Sequence, residues 1–193
     1  MHHTIRHPER ILLTSALLYA NGPVHIGHLL EYIQTDMIAR CLRFAGRHVL
    51  YCAADDTHGT PIEVKALEQE KDPEAFIAET YTEHVEDLGA FHVAWDSYYS
   101  TNAPENRVLT EQIFGRLDRN GHIYQKDVEQ FWCATDRRFL PDRFIKGTCP
   151  RCKSPDQYGD ACEVCGATYG PTDLETPRCV LCGHPPDPKA STQ

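Results

Sequence analysis

Two histidines three residues apart, His25 and His28, flank Ile26 and Gly27 at the end of the stretch Ile11–His28, which reads ILLTSALLYANGPVHIGH. On the first turn of a helix, imidazoles at that spacing face one way and can donate to phosphoryl oxygens, and Gly27 has no side chain to block a ligand lying along the backbone. A second candidate is the pair Asp55 and Asp56, which closes a later apolar run. One carboxylate of such a pair is expected to cap a helix or close a turn, and the other, facing a crevice beside Tyr19, suits a cationic α-amino group. A third is the double hairpin Cys149-x-x-Cys152 and Cys162-x-x-Cys165. Four thiolates with no open coordination position suit a structural Zn2+, with thiol–disulfide redox chemistry as the weaker alternative.

A last cysteine pair, Cys179 and Cys182, has no obvious partner, but Cys133 stands three residues before Asp136. A knuckle whose second cysteine is replaced by a carboxylate is a permissible zinc ligand set, so Cys133, Asp136, Cys179 and Cys182 form a candidate second site, with His184 competing for the fourth position. The other reading is a decayed site, with Cys133 a buried thiol and the last pair free. Cys41 and Cys52 read as small core residues.

The elements needed to position these groups can be read from periodicity. Ile11 to Leu18 fits a strand buried on both faces of a parallel sheet. Asn21, Gly22 and Pro23 then make a turn, and Leu29, Ile33, Met37 and Cys41, with Leu30, Ile38 and Leu42 beside them, mark a helix. The loop therefore meets a helix N-terminus, whose unpaired N–H groups and dipole favour anions, so Asn21, Gly22, His25, Gly27 and His28 are candidate phosphate contacts. Gly46 stops the helix and residues 47–53 read as a second strand, completing a strand–helix–strand unit. In an open parallel sheet, ligands sit beyond the carboxyl ends of the strands, so residues 16–19 and 54–59 should converge. Residues 61–70 read as a helix. Asp72 and Pro73 start another, with Ile77, Tyr81, Val85 and Leu88 as its apolar stripe. Trp95 to Tyr99 reads as a third strand, its aromatic row serving core packing, and residues 104–120 as a helix with Leu109, Ile113 and Leu117 inward. Beyond Gly121 the chain becomes rich in Cys, Gly, Pro and Asp, which divides it into 1–121 and 122–193.

At 193 residues and 41% hydrophobic, the chain can bury one real core plus a smaller insert. A net charge of -9 excludes a generally basic nucleic-acid surface. Nothing at the start reads as a secretory leader and no run is long enough to span a bilayer, so the expected compartment is the cytoplasm. Nine cysteines, an odd number with six in tight pairs, then point to metal rather than disulfides.

Taken together, the loop ending in His-Ile-Gly-His, the Ala54-Asp55-Asp56-Thr57-His58-Gly59 stretch, Phe139-Leu140-Pro141-Asp142-Arg143-Phe144 and Lys146-Gly147-Thr148-Cys149-Pro150 resemble class I aminoacyl-tRNA synthetases, most closely the methionyl branch. The resemblance runs from Ile11 to about Pro186. It implies an α/β fold, the first half of a Rossmann-type parallel sheet of the HUP-like class I kind, carrying a small zinc-knuckle connective-peptide insert. It makes Ala16, Leu17 and Tyr19 walls of an amino-acid pocket, Asp56 the ammonium partner, and His25 and His28 contacts to ATP and the transition state. Leu18 departs from the family, which usually has proline there.

The implied reaction is attack of the carboxylate of methionine or a related amino acid on the α-phosphate of ATP, with Mg2+, then transfer to tRNA. In the family a Lys-Met-Ser-Lys-Ser loop shares the charge stabilisation, and that loop does not occur in this sequence. The expectation is a part that does not turn over alone, that binds tRNA only with further domains, and whose open sheet edge is covered by a second polypeptide or a second copy. A shortened paralogue serving a specialised pathway and a non-catalytic zinc-stabilised module are the other readings.

Overall fold

The computed structural model describes residues 10–193; residues 1–9, on which the expectation about a leader rests, lie outside the described residues. The chain falls into two compact units that divide between Gln112 and Ile113. In the first, β1 (Arg10–Thr14) and β2 (Leu18–Tyr19) run along β3 (His48–Asp56), which pairs also with β4 (Ser97–Ser100). All pairings are parallel, with Thr14 opposite Cys52, Tyr19 opposite Asp56 and Tyr98 opposite Ala53. The unit's helices are α1 (Ile26–Phe44), α2 (Thr60–Glu68) and α3 (Pro73–Ala90), and the division falls within α4 (Pro104–Arg119). Asp72 caps α3 as expected, its side chain accepting from the Glu74 N–H at 2.9 Å.

The single strand expected over Ile11–Leu18 is in fact two, broken at Ser15–Leu17. Side chains take over where the ladder stops: the Ala16 N–H donates to Glu31 Oε1 at 2.6 Å, and the Tyr32 hydroxyl donates to the Ala16 carbonyl at 3.0 Å. The break thus leaves no orphaned backbone group at Ala16.

The core of this unit gathers Leu18, Tyr32, Ala39, Val49, Tyr51, Ala53, Leu88, Val93 and Tyr98, with Leu29, Ile33 and Leu42 packed against it. Leu88 is fully buried. Leu88→Ala is expected to destabilise the chain by about 2–5 kcal/mol in a urea titration, because the site cannot fully collapse around the lost atoms.

Three expectations about burial need correction. β1 is not buried on both faces: it alternates, with Leu12 64% exposed. α1 turns its Leu29–Tyr32–Ile33–Ala39 side inward, leaving Met37, Ile38 and Cys41 exposed, so Cys41 is not a core residue, while Cys52 is half-buried. α4 forms where expected, yet none of its residues is buried, Leu109, Ile113 and Leu117 included. Apolar periodicity reports that a helix has a face, but not which neighbour covers it. No helix among the described residues is long and apolar enough to cross a membrane.

The second unit is built from short antiparallel strands. β5 (Asp127–Cys133) lies between β10 (Asp187–Thr192) and β6 (Arg138–Phe139), and β7 (Ile145–Thr148) lies between β8 (Gln157–Tyr158) and β9 (Glu175–Cys179). Phe131, Leu140, Phe144, Ile145 and Leu174 supply most of its buried apolar side chains. Gly147 is required for close approach of β7 and β9, since a Cβ there would lie 2.7 Å from the Glu175 carbonyl oxygen.

Candidate functional site

His25 is the N-cap residue of α1, in extended conformation. Its Nδ1 accepts from the Gly27 N–H at 3.1 Å, and His28 Nδ1 accepts from the His25 N–H at 3.4 Å, so each ring closes half of a capping box. The two rings stack, centroids 3.6 Å apart. An acceptor Nδ1 leaves the proton of a neutral imidazole on Nε2, so both rings keep an Nε2–H donor for a ligand at the helix start. The His28 pKa is lowered, first by burial and then by the neighbouring His25 and His84, with Glu31 opposing. His28 is thus held as the neutral donor.

Tyr19 and Asp56 sit opposite each other on β2 and β3, and the Ala20 N–H donates to the Asp56 carbonyl at 2.9 Å. The strand ends therefore bring together two side chains, Tyr19 and Asp56, that lie 37 positions apart in the sequence. Burial raises the Tyr19 pKa, and the Asp56 charge adds to it, which keeps the phenol protonated. Gly59 follows with φ +123°, and a Cβ there would come within 2.6 Å of the Tyr19 hydroxyl. Gly59→Ala is expected to lower stability by roughly 1–3 kcal/mol and to displace Tyr19, seen as a changed tyrosine fluorescence and a lower melting temperature. Ala16 and Leu17 lie exposed at the strand break, and Asn21 and Gly22 in the loop before α1.

The aspartate pair divides its work differently from expectation. α2 is capped by Gly59 without any side-chain cap, and Asp56 Oδ1 accepts only a long 3.5 Å contact from the His58 N–H. Asp55 is fully buried: Oδ1 accepts from the Tyr98 hydroxyl and pairs with His84 Nδ1 at 2.9 Å. The other ring nitrogen of His84 lies 2.8 Å from the Gly22 carbonyl. His84 was not singled out by sequence, although a signal exists, since a histidine between Tyr81 and Leu88 interrupts the apolar stripe of α3.

The cysteines form two clusters in the second unit. Cys149, Cys152, Cys162 and Cys165 place their sulfurs within 4.8 Å of one another, as do the ligand atoms of Cys133, Asp136, Cys179 and Cys182. Sulfur separations of 3.9 Å (Cys149–Cys165) and 3.5 Å (Cys152–Cys162) bracket the edge of about 3.8 Å that a tetrahedron with Zn–S of about 2.3 Å requires, and they are far too long for disulfides. The Arg151, Cys152 and Cys165 N–H groups point at Cys149 and Cys162 sulfurs at 3.4–3.5 Å, as in a knuckle that stabilises thiolate charge. The Ser154 hydroxyl and N–H lower the Cys152 pKa to about 6, so this thiol ionises near neutrality. In the other cluster, Asp136 Oδ2 lies 3.0 Å from both Cys133 and Cys179 sulfurs, and Cys133 lies 3.4 Å from Cys182. His184 is outside this cluster and contributes its carbonyl, which accepts from the Cys179 N–H at 2.9 Å. Both ligand sets fit a Zn2+ ion.

The model of the family described as tRNA synthetases class I (M) matches residues 11–193. The chain belongs to the class I (M) tRNA synthetase family. Among relatives of this synthetase chain, the methionine–tRNA ligase of Myxococcus xanthus is 59% identical over 183 residues, and that of Cupriavidus pinatubonensis 53% over 184. The alignments cover 95% of this chain but 26% and 27% of those proteins, so the chain spans about a quarter of their length. A solved structure of Mycobacterium tuberculosis methionyl-tRNA synthetase, in complex with methionyl-adenylate, superposes with a TM-score of 0.63 at 20% identity, covering 95% of this chain and 31% of that one. This likeness shows that the synthetase chain has the α/β class I catalytic fold.

Proposed function

We propose that this chain supplies the histidine-bearing wall of an ATP-dependent methionine-activating site, the first stage of methionine–tRNA ligation. The observation that carries the reading is the pair of Nε2–H donors at the start of α1, next to the strand ends that bear Tyr19 and Asp56. An anion is favoured at the helix N-terminus, and Asn21, Gly22, His25, Gly27 and His28 surround it; the α- and β-phosphates of ATP, with Mg2+, fit that charge. Ala16, Leu17 and Tyr19 wall the amino acid, and Asp56 pairs its ammonium group. As the carboxylate attacks the α-phosphate and pyrophosphate leaves, the two donors stabilise the growing charge without reorganising.

Residues 1–121 belong to the catalytic half and 122–193 to the connective insert, which Zn2+ holds at Cys149, Cys152, Cys162 and Cys165 and at Cys133, Asp136, Cys179 and Cys182. The outer edges of β1 and β4 pair with nothing among the described residues. A further part of the polypeptide, a second polypeptide or a second copy would cover them. tRNA is a partner only together with further domains, and the compartment is the cytoplasm.

The test is methionine-dependent pyrophosphate exchange by the polypeptide as the cell makes it. Exchange with methionine and none with other amino acids is the expected result. Exchange preferring another amino acid would favour the shortened-paralogue reading, and no exchange in any context would overturn the proposal.

A further inference from the structure

His84 is almost wholly buried on α3, yet both of its ring nitrogens face oxygens: Asp55 Oδ1 at 2.9 Å and the Gly22 carbonyl at 2.8 Å. A carbonyl has no proton to give, so Nε2 must donate to Gly22. At Nδ1 the partner is a buried carboxylate that already accepts from Tyr98, and its second oxygen, Oδ2, is buried with no partner among the described residues. An ionised carboxylate in such a place needs a cation beside it, and His84 is the group that touches it.

We propose that His84 is a doubly protonated positioning residue, an imidazolium that ties the Gly22 carbonyl to the Asp55 carboxylate and thereby fixes the loop leading into His25 and His28. The loop between β2 and α1 has few other long-range ties: the Ala20 N–H holds its start to β3, and the His25 capping box holds its end. Gly22 lies between, with no side chain of its own to anchor it. The His84 bridge spans 62 positions and joins α3, β3 and the loop at one point.

The groups facing this bridge are consistent with it. Asp55 comes from β3, Tyr98 from β4, Tyr81 and Glu83 from α3, and Tyr32 and His28 from α1. Tyr98 is held protonated by burial and by Asp55, so it is a neutral donor. For His84, burial acts to lower the pKa, but Asp55, the Gly22 carbonyl and Glu83 together outweigh it and the net direction is up. A group whose folded pKa is raised stabilises fully below its ordinary value, and that contribution fades as pH rises through the raised value. The loop should therefore be tightest in mild acid and loosen on the alkaline side. The same positive charge contributes to keeping His28 neutral.

The inference rests on the proposed function only in naming what the loop positions, and neither readout below uses ATP or an amino acid. In histidine-labelled full-length protein, nitrogen NMR at pH 6, below the ordinary histidine value, is expected to show both His84 ring nitrogens protonated. One protonated nitrogen, the signature of a neutral ring beside a protonated Asp55, would overturn the proposal. In hydrogen exchange, His84→Gln is expected to lose protection in residues 20–25 on the order of 10-fold, the scale of a hydrogen bond to a charged group, while residues 48–56 keep theirs. Should that variant not fold, the wild-type protein serves: its protection in residues 20–25 is expected to fall as pH rises through the His84 titration. Protection there that ignores both the substitution and the titration would refute the clamp.

Discussion

Replacing His28 with alanine is expected to lower methionine-dependent pyrophosphate exchange by about 10²- to 10³-fold, the loss that follows removal of one preorganised donor from a developing oxyanion. The effect should fall on the rate rather than on the fold. His28 Nδ1 caps the His25 N–H through a 3.4 Å contact, so its removal costs about 0.5–2 kcal/mol of stability by loss of half a capping box. A urea titration alongside the exchange assay separates the two. His28→Gln returns an N–H donor of similar reach and should recover part of the rate. An alanine variant with undiminished exchange would remove His28 from the reacting centre, and His25 would then have to carry the charge alone.

Stripping zinc, or changing Cys149 to serine, should unfold much of the second unit. The reason is the composition of residues 149–167: the buried side chains there are Cys149, Gln157, Cys162 and Ala167, far too little apolar surface to order the segment. Structural zinc supplies binding energy on the order of 10 kcal/mol to such knuckles, so its loss exceeds what the remaining core of Phe131, Leu140, Phe144 and Ile145 offsets. Circular dichroism and zinc analysis during chelation would follow this, with about two zinc per chain at the start if both clusters are filled. Cys133→Ala should remove one zinc and leave the four-cysteine cluster loaded. One zinc per chain, unchanged by Cys133→Ala, would mean that the Cys133–Asp136–Cys179–Cys182 cluster holds no metal.

The two clusters also differ in what they join. The four-cysteine set staples a single stretch of about 17 residues, the spacing by which knuckles are recognised. The other set draws Cys133 and Asp136 from the β5–β6 hairpin and Cys179 and Cys182 from the end of β9, so it ties two sheets of the second unit. Its first pair carries one thiolate fewer, so a zinc ion held there would have a harder and less covalent fourth ligand.

Much of this is legible in the sequence, because it is local. Turn residues at Asn21–Pro23, the apolar spacing of α1 and the Asp72-Pro73 start of α3 follow from near-neighbour sterics and capping, and the cysteine pairs from ligand geometry. The helix start at His25 follows from spacing alone. What sequence could not decide depends on partners far away along the chain. The strand break at Ser15–Leu17 exists because Glu31 and Tyr32 satisfy Ala16 from the next helix. The inward side of α1 depends on where β3 lies, which leaves Met37 and Cys41 exposed despite their spacing. Of Asp55 and Asp56, the sequence assigns one to a cap or turn and the other to a crevice, but strand alternation decides their burial: Asp55 turns into the core against His84, and Asp56 stays half-buried. Local rules thus specified which groups gather at the strand ends; only the tertiary fold determined which of them are buried, charged and tied to one another.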